Sequence, residues 1–151
     1  MLTVHEIAAA VRGQLVGDAT DQRPVASVVV DSRQVTLGAL FVALRGQKHD
    51  GHDFVFDAFV KGARAAIVER VPERVSAFDK ANAFPMVVVG DGLAALQGLA
   101  QYWRRKLALT VVAVTGSVGK TTTREVVSGV LEQRYRVLRS EGNLNTEIGV
   151  P

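Results

Sequence analysis

Val111-Val112-Ala113-Val114-Thr115-Gly116-Ser117-Val118-Gly119-Lys120-Thr121-Thr122-Thr123 reads as a buried strand, a glycine turn and the start of a helix. A turn of this kind aims several main-chain N–H groups at one point, and the helix N-terminus adds partial positive charge there. Lys120 brings a full positive charge, and Thr121 brings a hydroxyl suited to Mg²⁺. The combination is a phosphate cradle and implies ATP or GTP. It departs from the usual G-x-x-x-x-G-K-[ST] pattern, because Val114 stands where the first glycine is expected and Gly116 comes two residues later. The plain alternative is an ordinary glycine turn between strand and helix. Strand, lysine and hydroxyl together favour the cradle.

Working outward, the chain continues for only about 30 residues after Thr121. That is too few to complete a nucleotide-binding domain, which normally needs about five covered strands. A helix near 119–133 and a strand over Arg136–Arg139 are expected after the turn, with Leu109–Thr115 as the strand before it. Two strands and one helix leave apolar surface uncovered, and an open strand edge invites self-association.

Upstream, Thr3-x-x-Glu6 is a capping box ahead of Val4, Ile7, Ala8 and Val11, which predicts a helix over 3–12 with Gly13 as its stop. Strands are expected over Val25–Val30, Leu40–Leu44, Ala65–Val68 and Met86–Val89. Helices are expected over Asp53–Lys61 and, capped by Asp91, through about Lys106, with Leu93, Leu96, Leu99, Ala100 and Trp103 on its apolar side. The order is that of an α/β fold. The expected organisation is a first domain over 1–106 and the incomplete beginning of a second over 107–151, joined without a Pro/Gly/Ser spacer.

Composition narrows the function classes. The chain has 151 residues, 48% hydrophobic and 22% charged, as in globular proteins. No apolar run approaches the ~18 residues that span a bilayer, and the N-terminus has no signal-peptide pattern. The absence of cysteine excludes disulfides and fits a reducing cytoplasm. A net charge of +3 spread along the chain argues weakly for nucleic acid and suits anionic small ligands as well. Trp103-Arg104-Arg105-Lys106 reads as a cationic helix end and not as a nucleic-acid patch.

In the first domain Ser32 and Arg33 follow a strand, where a ligand can meet them. Arg33 offers such a ligand a cation and Ser32 a hydroxyl. Equally, Asp31 and Ser32 cap a turn and Arg33 is a surface charge. His52, ahead of a helix, reads more readily as a cap or packing residue than as a ligand contact. His49, Asp50 and His52 fit no standard metal spacing. His5 reads as exposed. After the second domain's last strand, Asn143, Asn145 and Thr146 fall at the edge that faces the crevice of an open sheet. A polar turn explains each of them as well, and Glu147 reads as a solvated carboxylate.

Thr115-Gly116-Ser117-Val118-Gly119-Lys120-Thr121-Thr122 resembles the ATP loop of the Mur ligases, T-G-x-x-G-K-T-[TS]. Asp31-Ser32-Arg33, Gly38 to Gly46, Asp50-Gly51-His52-Asp53-Phe54 and Gly62-Ala63 resemble that family's sugar-nucleotide domain, and Gly142 to Pro151 resembles the segment after its ATP loop. The likeness runs over essentially the whole chain. It implies the N-terminal part of an ATP-dependent, amide-forming ligase of peptidoglycan precursor synthesis. That enzyme joins D-alanyl-D-alanine to UDP-MurNAc-tripeptide through an acyl phosphate. It further implies that Thr115, Gly116, Ser117, Val118, Gly119, Lys120, Thr121 and Thr122 bind ATP, that Lys120 also acts in catalysis, and that Thr121 holds Mg²⁺. Ser32, Arg33, His52, Asn143, Asn145 and Thr146 would contact the sugar nucleotide. The family's later acidic metal ligand, modified lysine, adenine contacts and third domain are absent, so the chain alone is expected to be inactive. Alternatives are another Mur-type ligase and a non-catalytic sugar-nucleotide module. The folylpolyglutamate synthases share the loop but lack a matching first domain.

Overall fold

The computed structural model describes residues 1–46, 48–77, 84–140, 146 and 148. It divides into two compact units, Met1–Trp103 and a second beginning at Arg104.

Unit 1 is built on a five-stranded sheet. In chain order its elements are α1 (Val4–Val11), β1 (Gln14–Val16), β2 (Val28–Val29), β3 (Leu40–Val42), α2 (Val55–Val60), β4 (Ala65–Val68), α3 (Glu73–Ser76), β5 (Met86–Val88) and α4 (Gly92–Lys106). The strand order is β1-β5-β4-β3-β2. β2, β3, β4 and β5 run parallel, with Leu40 opposite Ala65 and Ala66 opposite Met86, while β1 closes one edge antiparallel to β5.

The parallel strands are short apolar runs because both faces are covered. Alternate residues go to opposite sides. Leu40, Val42, Ala65, Ile67 and Val87 pack against Val4 and Ile7 of α1 and Ala95, Leu96 and Leu99 of α4. Phe41, Ala66, Val68 and Met86 pack against Val55 and Ala58 of α2 and Val75 of α3.

The capping box forms as the sequence predicts. The Glu6 N–H donates to Thr3 Oγ1 at 3.2 Å, and the Thr3 N–H donates to Glu6 Oε2 at 2.9 Å. The helix stop differs: Arg12, at φ 54°, takes the left-handed conformation, and Gly13 is small because a side chain there would collide with Val87. Of the strand expected over Val25–Val30, only Val28 and Val29 pair. Asp91 caps α4 by accepting from the Ala94 N–H at 2.9 Å.

Unit 2 holds α5 (Lys120–Leu131). The strands expected over Leu109–Thr115 and Arg136–Arg139 are not formed. Val111 and Val112 are exposed, as is Leu138. A parallel strand exists through its neighbours' hydrogen bonds and cover on both faces. Among the described residues of this unit, α5 and the irregular segments on either side of it supply neither.

Candidate functional site

The phosphate-loop residues lie in unit 2. Gly119 precedes α5 at φ +79°, a left-handed conformation that residues with a Cβ adopt only at a cost. No side chain caps the helix, so the cap leaves the first-turn N–H groups of Lys120, Thr121 and Thr122 without a side-chain acceptor. Gly116 also has a positive φ of 149°. The Lys120 Nζ donates to the Gly116 carbonyl, which folds the lysine across its own loop. Thr115, Ser117, Val118, Thr121 and Thr122 are all exposed. The geometry fits a phosphate: two left-handed glycines, an uncapped helix start and a lysine within one turn. Thr121, in that first turn, offers its hydroxyl for Mg²⁺. Behind it, Arg139 pairs with Glu125 at 2.9 Å and Glu132 at 3.1 Å. Hydrogen bonding from Arg124, with Arg139 nearby, lowers the Glu125 carboxyl below its ordinary range.

In unit 1, Ser32 and Arg33 sit in a 3₁₀ turn, Ser32–Gln34, capped by Asp31. Arg33 grips Asp31 through Nε at 2.9 Å and Nη2 at 2.6 Å, and its side chain is 86% exposed. The Lys61 ammonium donates to the Ser32 carbonyl at 2.9 Å. Arg33 thus serves the turn.

His52 lies elsewhere, in a second 3₁₀ turn, Gly51–Phe54, and is only 2% exposed. Its Nε2 accepts from the Glu69 N–H at 2.8 Å, and its Nδ1 meets Asp50 Oδ1 at 2.6 Å. A nitrogen that accepts carries no proton, so these partners assign the neutral Nδ1–H tautomer. Both ring nitrogens are engaged within the fold. Asp50 also accepts the His52 N–H at 2.9 Å and pairs with Arg70 at 3.0 Å. Burial opposes ionisation of Asp50, but the bonds from His52 and Arg70 outweigh it and hold the carboxyl well below the usual carboxylate range.

The sequence reading missed the rest of this assembly. Glu69 Oε1 accepts from the Gly92 N–H at 3.0 Å, and Glu69 Oε2 pairs with Arg45 Nε at 3.0 Å. Arg45 and Asp50 face each other across an antiparallel bridge, and the Gly46 N–H donates to the His49 carbonyl at 2.9 Å. The available signal was position: Arg45 and Glu69-Arg70 are the first charged residues after two buried parallel strands. No described hydrogen bond or ion pair joins this group to Ser32 or Arg33. Asn143, Asn145 and Glu147 lie outside the described residues, and Thr146 is exposed. No three metal-ligating side chains come together among the described residues.

The depressed carboxyls make an acid-stability prediction. Asp31, held by Arg33, and Asp21, held by Arg23, are lowered to about 2, against an unfolded value of about 3.9. A depressed folded value stabilises above the unfolded value and is lost as pH falls through the folded one. The urea midpoint of the chain should hold down to about pH 4 and fall between about pH 4 and 2. Asp31→Asn should flatten part of that fall, and a profile already declining at pH 6 would contradict the assignment.

A fold of parallel strands with a separate glycine-loop unit agrees with what the chain is similar to. The family model described as Mur ligase family, catalytic domain, matches residues 24–104, and the Mur ligase middle domain matches residues 114–151. The chain belongs to the Mur ligase family. Among its relatives is the UDP-N-acetylmuramoyl-tripeptide–D-alanyl-D-alanine ligase of Treponema pallidum, 43% identical over 100% of this chain and 34% of that protein. The Bacillus subtilis ligase of the same name is 38% identical over 99% of this chain and 32% of its own length. MurF from Acinetobacter baumannii superposes with a TM-score of 0.85 at 35% identity, over 99% of this chain and 31% of that one. A MurF ligase from Thermotoga maritima, solved in complex with ADP, gives a TM-score of 0.69 at 36% identity over 82% of this chain and 27% of that one. The chain spans about a third of the length of the relatives it matches. No helix among the described residues is long and apolar enough to cross a membrane.

Proposed function

We propose that this chain is the N-terminal part of a cytoplasmic ligase that joins D-alanyl-D-alanine to UDP-MurNAc-tripeptide in peptidoglycan precursor synthesis. Residues 1–106 recognise the sugar nucleotide, and residues 107–151 begin the ATP-binding domain. The supporting observation is that ligases of this name match the chain over 99–100% of its length. The phosphate loop adds chemical support.

When bound, ATP would transfer its phosphoryl group to the peptide's terminal carboxylate with ADP as the leaving group, and the dipeptide amine would then attack the activated carbonyl carbon, forming the amide as phosphate leaves. The task of these residues is to let two anions meet. The loop N–H groups and Lys120 would offset charge on the β- and γ-phosphates, and Thr121 would hold Mg²⁺. Lys120 would exchange the Gly116 carbonyl for a charged acceptor, which makes a stronger hydrogen bond. Ser32, Arg33, Asn143, Asn145 and Thr146 remain proposed contacts to the sugar nucleotide. His52, with both ring nitrogens engaged, belongs to the framework behind such a site.

The test is thermal unfolding with UDP-MurNAc-tripeptide and, separately, with Mg·ATP. Ligand at 100 times its dissociation constant stabilises by about 2.7 kcal/mol. The sugar nucleotide should raise the midpoint and Mg·ATP should not, since most of the ATP domain of the relatives lies outside this chain. A chain unmoved by both ligands would sink the reading. The exposed apolar side chains of unit 2, among them Val111, Val112, Val126 and Val130, favour a second reading: a non-catalytic sugar-nucleotide module that self-associates through that surface.

A further inference from the structure

One carboxylate ties together three strand ends in unit 1. Glu69, directly after β4, holds Arg45 beyond β3 through Oε2 and the N-terminus of α4 beyond β5 through Oε1. Its own N–H is held by His52. The Glu69 side chain is 22% exposed and the Arg45 side chain 60%, so the carboxylate is the anchor and the guanidinium the open head. The pairing engages Nε. Arginine takes phosphate oxygens through the fork of its two terminal nitrogens. Anchored by Nε, Arg45 offers that fork at the carboxyl edge of the parallel strands, where open α/β sheets bind ligands. The other arginines at strand ends differ: Arg33 is closed onto Asp31 through Nε and Nη2, and Arg70 gives Nη2 to Asp50.

We propose that Arg45 receives the diphosphate of a sugar nucleotide, with Glu69 as its positioning residue. This rests on the reading of unit 1 as a sugar-nucleotide domain. The ligand class follows from the chemistry: a dianionic diphosphate matches a pre-oriented guanidinium, and a neutral nucleoside does not.

The experiment is an NMR titration of the whole chain with UDP and with uridine, at two salt concentrations. Arg45→Gln should weaken UDP at least tenfold, leave uridine unchanged and flatten the salt dependence of UDP binding. Arg45→Lys should fall between, since an ammonium is a point charge without the fork. Glu69→Gln should also weaken UDP, although it removes a nearby negative charge. Tighter UDP binding by that variant would show that the carboxylate only neutralises Arg45, and would overturn its positioning role. UDP binding by Arg45→Gln at the parent's affinity would overturn the role of Arg45 and leave the reading of unit 1 standing. A folded parent chain that does not bind UDP would remove that reading itself. Uridine affinity serves as the folding control. Should Arg45→Gln lose uridine as well, Arg45→Lys decides: weakened UDP with uridine intact supports the proposal, and parent affinity for both overturns it.

Discussion

Replacing His52 with alanine will lower the stability of unit 1 by about 3 kcal/mol, from a cavity in place of the ring and the loss of its bonds to two part-buried partners, of which Asp50 Oδ1 keeps the main-chain N–H of residue 52. For a unit of this size that is a drop of roughly 10–20 °C in the unfolding midpoint. The two partners are the Glu69 N–H and Asp50 Oδ1, at 2.8 and 2.6 Å. The loss should spread, because Glu69 also carries Gly92 and Arg45. Hydrogen exchange should therefore accelerate at the Gly92 amide as well as at Glu69. His52→Gln, whose amide oxygen reaches the position of Nε2, should recover part of the loss. His5 provides the contrast: it is exposed on α1, and His5→Ala should stay within about 0.5 kcal/mol of the parent. Equal melting of the two alanine variants would show that the buried ring bears no structural role.

Gly51→Ala should cost about 3 kcal/mol, at the upper end of ordinary overpacking. A Cβ there would stand 2.6 Å from the Leu44 carbonyl oxygen, 2.7 Å from the Leu44 nitrogen and 3.0 Å from the Ala43 carbonyl carbon. All three are main-chain atoms, so no rotamer change relieves the clash. The Gly51 N–H also donates to the Leu44 carbonyl at 2.8 Å, so moving away breaks a bond that the loop needs. The opposite sign is expected at Gly98, in the middle of α4, where a Cβ meets nothing within 4 Å. Gly98→Ala should stabilise by up to about 1 kcal/mol, because alanine is the better helix former. Thermal unfolding of the two variants side by side checks both signs. A Gly51→Ala chain as stable as the parent would mean that the loop does not pack on Leu44.

What the sequence disclosed follows the range of the interactions involved. The Thr3–Glu6 box was legible because both halves of the cap lie within one turn. β3 and β4 were legible because strands buried on both faces are written as unbroken apolar runs. β1, over Gln14–Val16, was not, because its partner is β5, some 70 residues away and nothing local marks so short a strand. α3, at four residues, is shorter than any periodicity. Leu109–Thr115 shows the reverse case, a local strand pattern without the neighbours that make a strand. At the sites, the glycine loop and its lysine were readable as one contiguous motif. His52 was half readable: its cap by Asp50 is local, and its bond to Glu69 is not. Arg45 and Glu69 were invisible as a pair because only the parallel order of β3 and β4 brings residues 24 positions apart to 3.0 Å.

α4 begins on the Glu69 carboxylate and ends where the chain leaves unit 1, with Arg104 donating to the carbonyls of Leu107 at 3.2 Å and Leu109 at 2.7 Å. Its 15 residues make a rod about 22 Å long at 1.5 Å per residue. Ala95, Leu96 and Leu99 hold that rod against the sheet along its length, so it is a strut and not a pivot: it cannot tilt at Gly92 without opening the core. A disturbance at Glu69 is therefore absorbed by the packing before it reaches Arg104.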